Sequence, residues 1–340
     1  MTDVPVTARA SETPFFTTAD WIKLAIVVAV IAVDAVWIAV AGFRFDVQSL
    51  GRAVIALTVL MAVALFYTRW RPFPRFVTMT KETAWLIAFS AGAAVLSNLV
   101  VTLNLPLADT TISAIDRTLG FDWQSYYAFV TARPILGYAY VVLYAAVLPM
   151  IAFTIIALGL LDRPERASET ILSVMIAALI AIAISGLLPT AGGLAWFRPD
   201  EATLAHRPIV NLAYKQAFFD LRAGAITSFS LDDLKGLIAF PSYHAALNGI
   251  VVLAFRGIGR VFWPLCVLNV AMLATTPVEG GHHLMDALGG CLVAVLSTWL
   301  AWRLCFAPAN GVVAPLSAPV QGWSIRKGRN SASSSESAST

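Results

Sequence analysis

Charge is what this chain has least of: Asp, Glu, Lys and Arg make up 13% of its residues, about half the share in an ordinary soluble domain. That scarcity excludes a solvated globular surface over most of its length. Cysteine is also rare, and Cys266, Cys291 and Cys305 fall in or beside apolar runs without the spacing of metal ligands. They read as small buried hydrophobes, and a disulfide framework is not expected. The net charge of +3 is dispersed, which leaves no basic stripe of the kind that tracks a nucleic acid. The sequence carries no nucleotide-binding glycine loop and no internal repeat.

What it has in abundance is apolar length. Hydrophobic residues reach 59%, and runs suited to the roughly 30 Å hydrocarbon core of a bilayer recur. We read about eight, at 21–41, 53–67, 84–103, 135–160, 171–188, 245–255, 261–274 and 284–306. The sixth and seventh are short and need the flanking motif residues to lengthen them. A backbone in hydrocarbon must satisfy its own hydrogen bonds, which a single apolar run does as a helix. The expected fold class is therefore all-α, a polytopic helical membrane protein.

Its expected organisation is a polar cytoplasmic N-terminus over 1–20, N-terminal transmembrane helices over 21–104, a motif-bearing membrane domain over 105–306, and a tail over 307–340. The tail is rich in Ser, Ala, Gly and Pro and is expected to be disordered. Residues 1–20 lack a basic segment with a cleavage site, so the first span reads as a retained anchor. Basic residues mark alternate connections: Arg69, Arg71, Arg75 and Lys81, then Arg163 and Arg166, then Arg256 and Arg260, then Arg303. The positive-inside rule makes that side cytoplasmic, with both termini on it. The opposite, outer side then receives 104–134, 189–239 and 275–281.

Three of the four histidines fall in two short motifs on that outer side. One is Phe240-Pro241-Ser242-Tyr243-His244; the other is Gly280-Gly281-His282-His283-Leu284-Met285-Asp286. A histidine and an aspartate four apart share one helix face, so Asp286 can orient His282. A second histidine, His244, can supply general acid catalysis. The pattern points to displacement at phosphorus through a phosphohistidine. Ser242 is expected to cap its helix and to face the phosphate, and free N–H groups at both helix starts are expected to favour an anion there. His283, rotated about 100° from His282, reads as structural, and His206, in a polar loop, as a surface residue. The 104–134 segment reads as an interfacial connector, with a lid over the site as the alternative. Asp34, inside the first span, is open between a helix-packing hydrogen bond and a functional group. A non-enzymatic alternative uses the paired histidines as haem ligands or as a proton relay in a transporter, although no c-type haem motif is present.

The Pro-Ser-x-His and His-x-x-x-Asp elements resemble two signatures of the type 2 phosphatidic acid phosphatase superfamily. Phe-Pro-Ser-x-His-Ala-Ala, Gly-Gly-His-x-x-x-Asp and the Ile115–Asp122 stretch are similar to its branch containing inositol phosphorylceramide synthases and their bacterial relatives. The resemblance runs from about Leu105 to Leu300. It implies His282 as nucleophile, His244 as proton donor to the leaving oxygen, Asp286 as holder of the His282 ring, a membrane lipid as substrate, and no metal or organic cofactor. Two departures bear on the phosphate clamp. Lys215 and Arg222 keep the superfamily's lysine–arginine spacing, but Ala223 stands where a proline is expected, and Thr275-Thr276 replace Ser-Arg. Arg222 is the first choice for the clamp and Lys215 the second, with Arg198 and Arg207 on the same loop as alternatives.

Overall fold

The computed structural model describes residues 15–200 and 204–306. Most of the polar N-terminus and the whole of the 307–340 tail lie outside the described residues. The first helix, α1 (Thr18–Ala41), starts at a capping box. The Thr17 hydroxyl accepts from the Asp20 N–H, the Asp20 carboxylate accepts from the Thr17 N–H, and the helix stops at the left-handed Gly42. It is followed by α2 (Gly51–Arg69) and α3 (Pro74–Leu99). Two short helices come next, α4 (Asp109–Thr118) and α5 (Trp123–Thr131), then α6 (Pro134–Ala145), α7 (Val147–Leu160) and α8 (Pro164–Leu187). Three of these helices open on a proline, whose missing N–H costs nothing in the first turn. A long connection carries α9 (Gly193–Phe197) and α10 (Leu212–Arg222), and the chain ends in α11 (Tyr243–Ala254), α12 (Gly259–Glu279) and α13 (Leu284–Phe306).

Among the described residues, six helical segments are long and apolar enough to cross a membrane, and the pair α5–α6, bent by 106°, makes at most a seventh. That is fewer than the eight expected, for two reasons. The run over 135–160 breaks at Ala146 into α6 and α7; Pro149 follows closely and has no N–H to return to Ala145. The run over 245–255 forms only the 12-residue α11, about 18 Å long at 1.5 Å per residue.

The most enclosed span is α8, with 67% of its apolar window buried against 17% in α1 and 11% in α2. One buried cluster joins Val27 of α1, Phe89 of α3, Ile155 of α7, Met175 of α8, Ile250 of α11 and Val293 of α13. Lipid tails are as apolar as leucine, so close packing rather than transfer from water holds such helices together. At Gly290 of α13, a Cβ would stand 2.2 Å from the Ser242 carbonyl oxygen. The two histidine motifs can lie side by side because that position has no side chain. At the other end of the bundle, Lys23 donates to Glu82 at 2.5 Å and to Ser168 at 2.8 Å, Lys81 and Trp85 donate to Asp20, and Arg256 pairs with Glu169. A two-strand parallel pair, β1 (Arg44–Phe45) with β2 (Ser228–Phe229), ties the long connection to the link between α1 and α2.

Candidate active site

The site is assembled where α11 and α13 begin. Ser242 is the N-cap of α11, its hydroxyl accepting from the Ala245 N–H at 3.3 Å. Its own N–H donates to the Asp286 carbonyl at 2.8 Å, which pins one motif to the other. Gly281 takes φ +63°, a left-handed turn that glycine adopts without strain, and delivers His282 to the mouth of α13.

His282 Nδ1 lies 3.2 Å from Asp286 Oδ2, and its Nε2 lies 3.3 Å from the Ser242 hydroxyl. A carboxylate only accepts, so Nδ1 carries the hydrogen and Nε2 keeps its lone pair. Burial lowers the His282 pKa, opposed by its hydrogen bond to Asp286, so burial favours the neutral, nucleophilic ring. His244 is fixed differently. Its Nε2–H donates to the Tyr144 carbonyl at 2.9 Å, and its ring stacks on the Tyr144 ring with centroids 4.0 Å apart. That leaves Nδ1 to exchange a proton.

Both histidines line one cavity of about 400 Å³, together with Lys215. Lys215 is 3% exposed, and burial depresses its pKa to about 8, against the pull of the Asp286 and Asp109 carboxylates. Arg222, the first choice for the clamp, is turned away: it donates to the Leu105 carbonyl at 2.7 Å and does not line the cavity. Arg198 packs over Phe219, and Arg207 is exposed. Of the two basic candidates on α10, Lys215 lines the cavity and Arg222 does not.

Several supports of the site come from 104–134, which is more than a connector. Asp116 accepts from the N–H groups of Leu284 and Met285, both at 2.9 Å, and so caps α13 from far away in the sequence. Asp109 accepts from the N–H groups of Ala191 and Gly192 and from His283 Nε2 at 3.1 Å. His283 Nδ1 stands 3.6 Å from Asp116, so the ring sits between two carboxylates. Burial alone would lower its pKa, but the hydrogen bond to Asp109 and the nearby Asp116 carboxylate outweigh this and raise it to about 9. Trp123 Nε1 donates to the His282 carbonyl at 2.9 Å. His283 is fully buried.

Two expectations need correction. The N–H groups that start α13 are not free for an outside anion, since Asp116 and Asp286 already occupy them. His206 is buried rather than on the surface, with Nε2 2.8 Å from Glu279, whose other oxygen accepts from the Ile209 N–H. Asp34 packs against Gly92 on the α1–α3 contact and stands outside the cavity lining. Among the described residues, no group of three or more His, Cys, Asp or Glu is placed to hold a metal ion.

Long apolar helices around a buried histidine–carboxylate pair, with a second histidine on the same cavity, define an integral membrane protein with a histidine-lined cavity at one end. The chain belongs to the PAP2 superfamily, whose sequence model matches residues 110–300, from α4 through most of α13. That superfamily includes phosphatases and phosphotransferases. The chain matches no curated protein and no solved structure.

Proposed function

We propose that the protein is a membrane lipid phosphoesterase or phosphotransferase working through a phosphohistidine on His282. The observation that carries this reading is the His282–Asp286 hydrogen bond at 3.2 Å, with His282 among the residues of the cavity that His244 and Lys215 also line. In the first half-reaction, His282 Nε2 attacks phosphorus and the bond to the leaving oxygen breaks. The departing alkoxide takes a proton from His244 Nδ1, while Asp286 stabilises the positive ring. Lys215 meets the charge on the non-bridging oxygens, since phosphoryl-transfer catalysis is mainly positioning and electrostatics. In the second half-reaction, His244 removes a proton from water or from an alcohol, whose oxygen then attacks phosphorus and frees His282. Water gives a phosphatase; a lipid or polyol alcohol gives a transferase of the inositol phosphorylceramide synthase type.

The alternation of basic residues supports an extracytoplasmic site, in the plasma membrane and open to the exterior or periplasm. The test is a panel of phospholipids, lipid phosphates and isoprenoid pyrophosphates, given to purified protein with and without alcohol acceptors. Release of inorganic phosphate, or of a phosphorylated acceptor, is expected from at least one. No turnover of any phosphoester would contradict the reading.

A further inference from the structure

Two buried ionisable side chains stand beside the site and take no part in the phosphoryl transfer. Glu279, the last residue of α12, is fully buried, and His206 is nearly so. Neither lines the cavity. A buried carboxylate is costly unless its oxygens are met by donors, and one short stretch of the long connection meets both. A carboxylate only accepts, so His206 Nε2–H donates to one oxygen at 2.8 Å, while the Ile209 N–H donates to the other at 3.0 Å. The Glu279 carbonyl accepts from the Val210 N–H, also at 3.0 Å. His206 is held from its other side as well. Its N–H donates to the Thr131 carbonyl at 3.1 Å, and its ring lies so close to α6 that a Cβ at Gly137 would stand 2.3 Å from it.

The place of this fastening gives it a role. Three positions after Glu279 comes His282, and five positions after Val210 comes Lys215. The second path is rigid from its start. Asn211 caps α10 by accepting from the Tyr214 N–H at 2.8 Å, and the Lys215 N–H donates to the Asn211 carbonyl at 3.1 Å. Val210 and Gly280 line the same cavity as Lys215 and His282, so both sides of the fastening form part of its wall.

We propose that Glu279 and His206 are positioning residues, which hold the start of α10 against the approach to α13 and so fix where Lys215 stands relative to His282. The inference rests on the phosphoester reading and adds to it the device that brings cation and nucleophile to one phosphoryl group. Those two groups come from separate elements, and a misplacement of about 1 Å can cost about 10²-fold in rate. Glu279 and His206 act through the backbone of Val210 on one side and of Gly280 and Gly281 on the other.

A double-mutant cycle tests this. Turnover of a phosphoester that the unmutated protein accepts is measured for Glu279→Ala, Lys215→Met and the double variant, per mole of folded protein. Glu279→Ala should lower kcat/KM by about 10²-fold. Lys215→Met should cost about 10²–10³-fold in the unmutated background but less than about tenfold in Glu279→Ala, because a cation already out of place has little left to lose. Losses that simply multiply would overturn the proposal, since a residue that only stabilises the fold leaves the contribution of Lys215 intact in every molecule that stays folded. Conservative replacement gives a second measurement. Glu279→Gln keeps the length and can accept from Ile209 while donating to the other tautomer of His206, so it should recover most of the turnover that Glu279→Ala loses. Glu279→Gln as slow as Glu279→Ala would also overturn the proposal. Should Glu279→Ala not fold, Glu279→Asp, too short to meet both His206 and Ile209, takes its place in the cycle under the same criterion. Protein that turns over a phosphoester but gives a multiplicative cycle loses this inference and keeps the phosphoester reading. Protein silent towards every phosphoester loses both.

Discussion

The two ends of the bundle each bury a cluster of charged residues, and they differ in whether the charges are closed. At the end where α1, α3 and α8 begin, Lys23 meets Glu82, Lys81 meets Asp20, and Arg256 meets Glu169. Each acid there faces a lysine or an arginine. At the other end, Asp109, Asp116 and Asp286 face histidines and backbone N–H groups, and a cavity reaches His282, His244 and Lys215. Closed pairs hold helices in place. Acids paired with groups that can gain and lose protons next to a cavity are suited to chemistry. The comparison separates a fastening from a site, although both are buried and polar.

The comparison can be broken most sharply at Glu82. Glu82→Gln leaves Lys23 as a buried, poorly compensated cation, a loss of about 3–5 kcal/mol where a buried pair is broken on one side. Unfolding in detergent should show that loss, while the folded fraction keeps its specific activity. A variant as stable as the unmutated protein would mean that the far cluster fastens nothing.

The next largest effect is expected at Lys215. Lys215→Met should lower kcat/KM by about 10²–10³-fold, the scale of losing one donor to transition-state charge, whereas Arg222→Met should change it little. The pH profile sharpens this. The depressed pKa of about 8 means the charged clamp is present below pH 8 and lost as pH rises through it, so kcat/KM should fall on that alkaline limb. Lys215→Arg, charged throughout, should flatten the limb. An alkaline limb identical in both proteins would remove Lys215 from the clamp.

A smaller effect is expected at His283, whose buried ring lies at the site end between Asp109 and Asp116. Its folded pKa of about 9 stands above the ordinary imidazole value of about 6.5. The protonated ring therefore contributes stability that is full below about pH 6.5 and lost as pH rises through about 9, on the order of 3 kcal/mol. The melting-temperature gap between unmutated protein and His283→Gln should be widest near pH 6 and close in alkali. A gap that does not change with pH would show that the ring is not held as a cation.

The same contrast explains what could be read from the sequence. Closely spaced features were legible: the apolar runs gave most of the long helices, and the His282–Asp286 spacing gave a hydrogen bond that the structure contains. Features that depend on distant pairing were not. Asp116 caps α13 across 168 residues, and Trp123 reaches the His282 carbonyl across 159, so no local pattern could announce either. The Ile115–Asp122 stretch was noticed by resemblance, but its bonds to the start of α13 needed three dimensions. Lys215 and Arg222 lie seven apart on α10, nearly the same face, and spacing alone could not say which reaches the cavity. His206 looked like a loop residue because Glu279, the partner that draws it inward, comes 73 positions later.

The central claim is that His282 is the nucleophile and His244 the proton donor, and rapid-quench trapping tests it most directly. A p-nitrophenyl phosphoester labelled at phosphorus, first shown to be turned over by unmutated protein, is mixed with His244→Ala and with His282→Ala. Its leaving group needs no proton, so loss of the general acid, ordinarily about 10²–10⁴-fold, should matter little to the first step. The account predicts acid-labile label on His282 in His244→Ala and none in His282→Ala. Label retained in His282→Ala and absent from His244→Ala would contradict it and reverse the two roles.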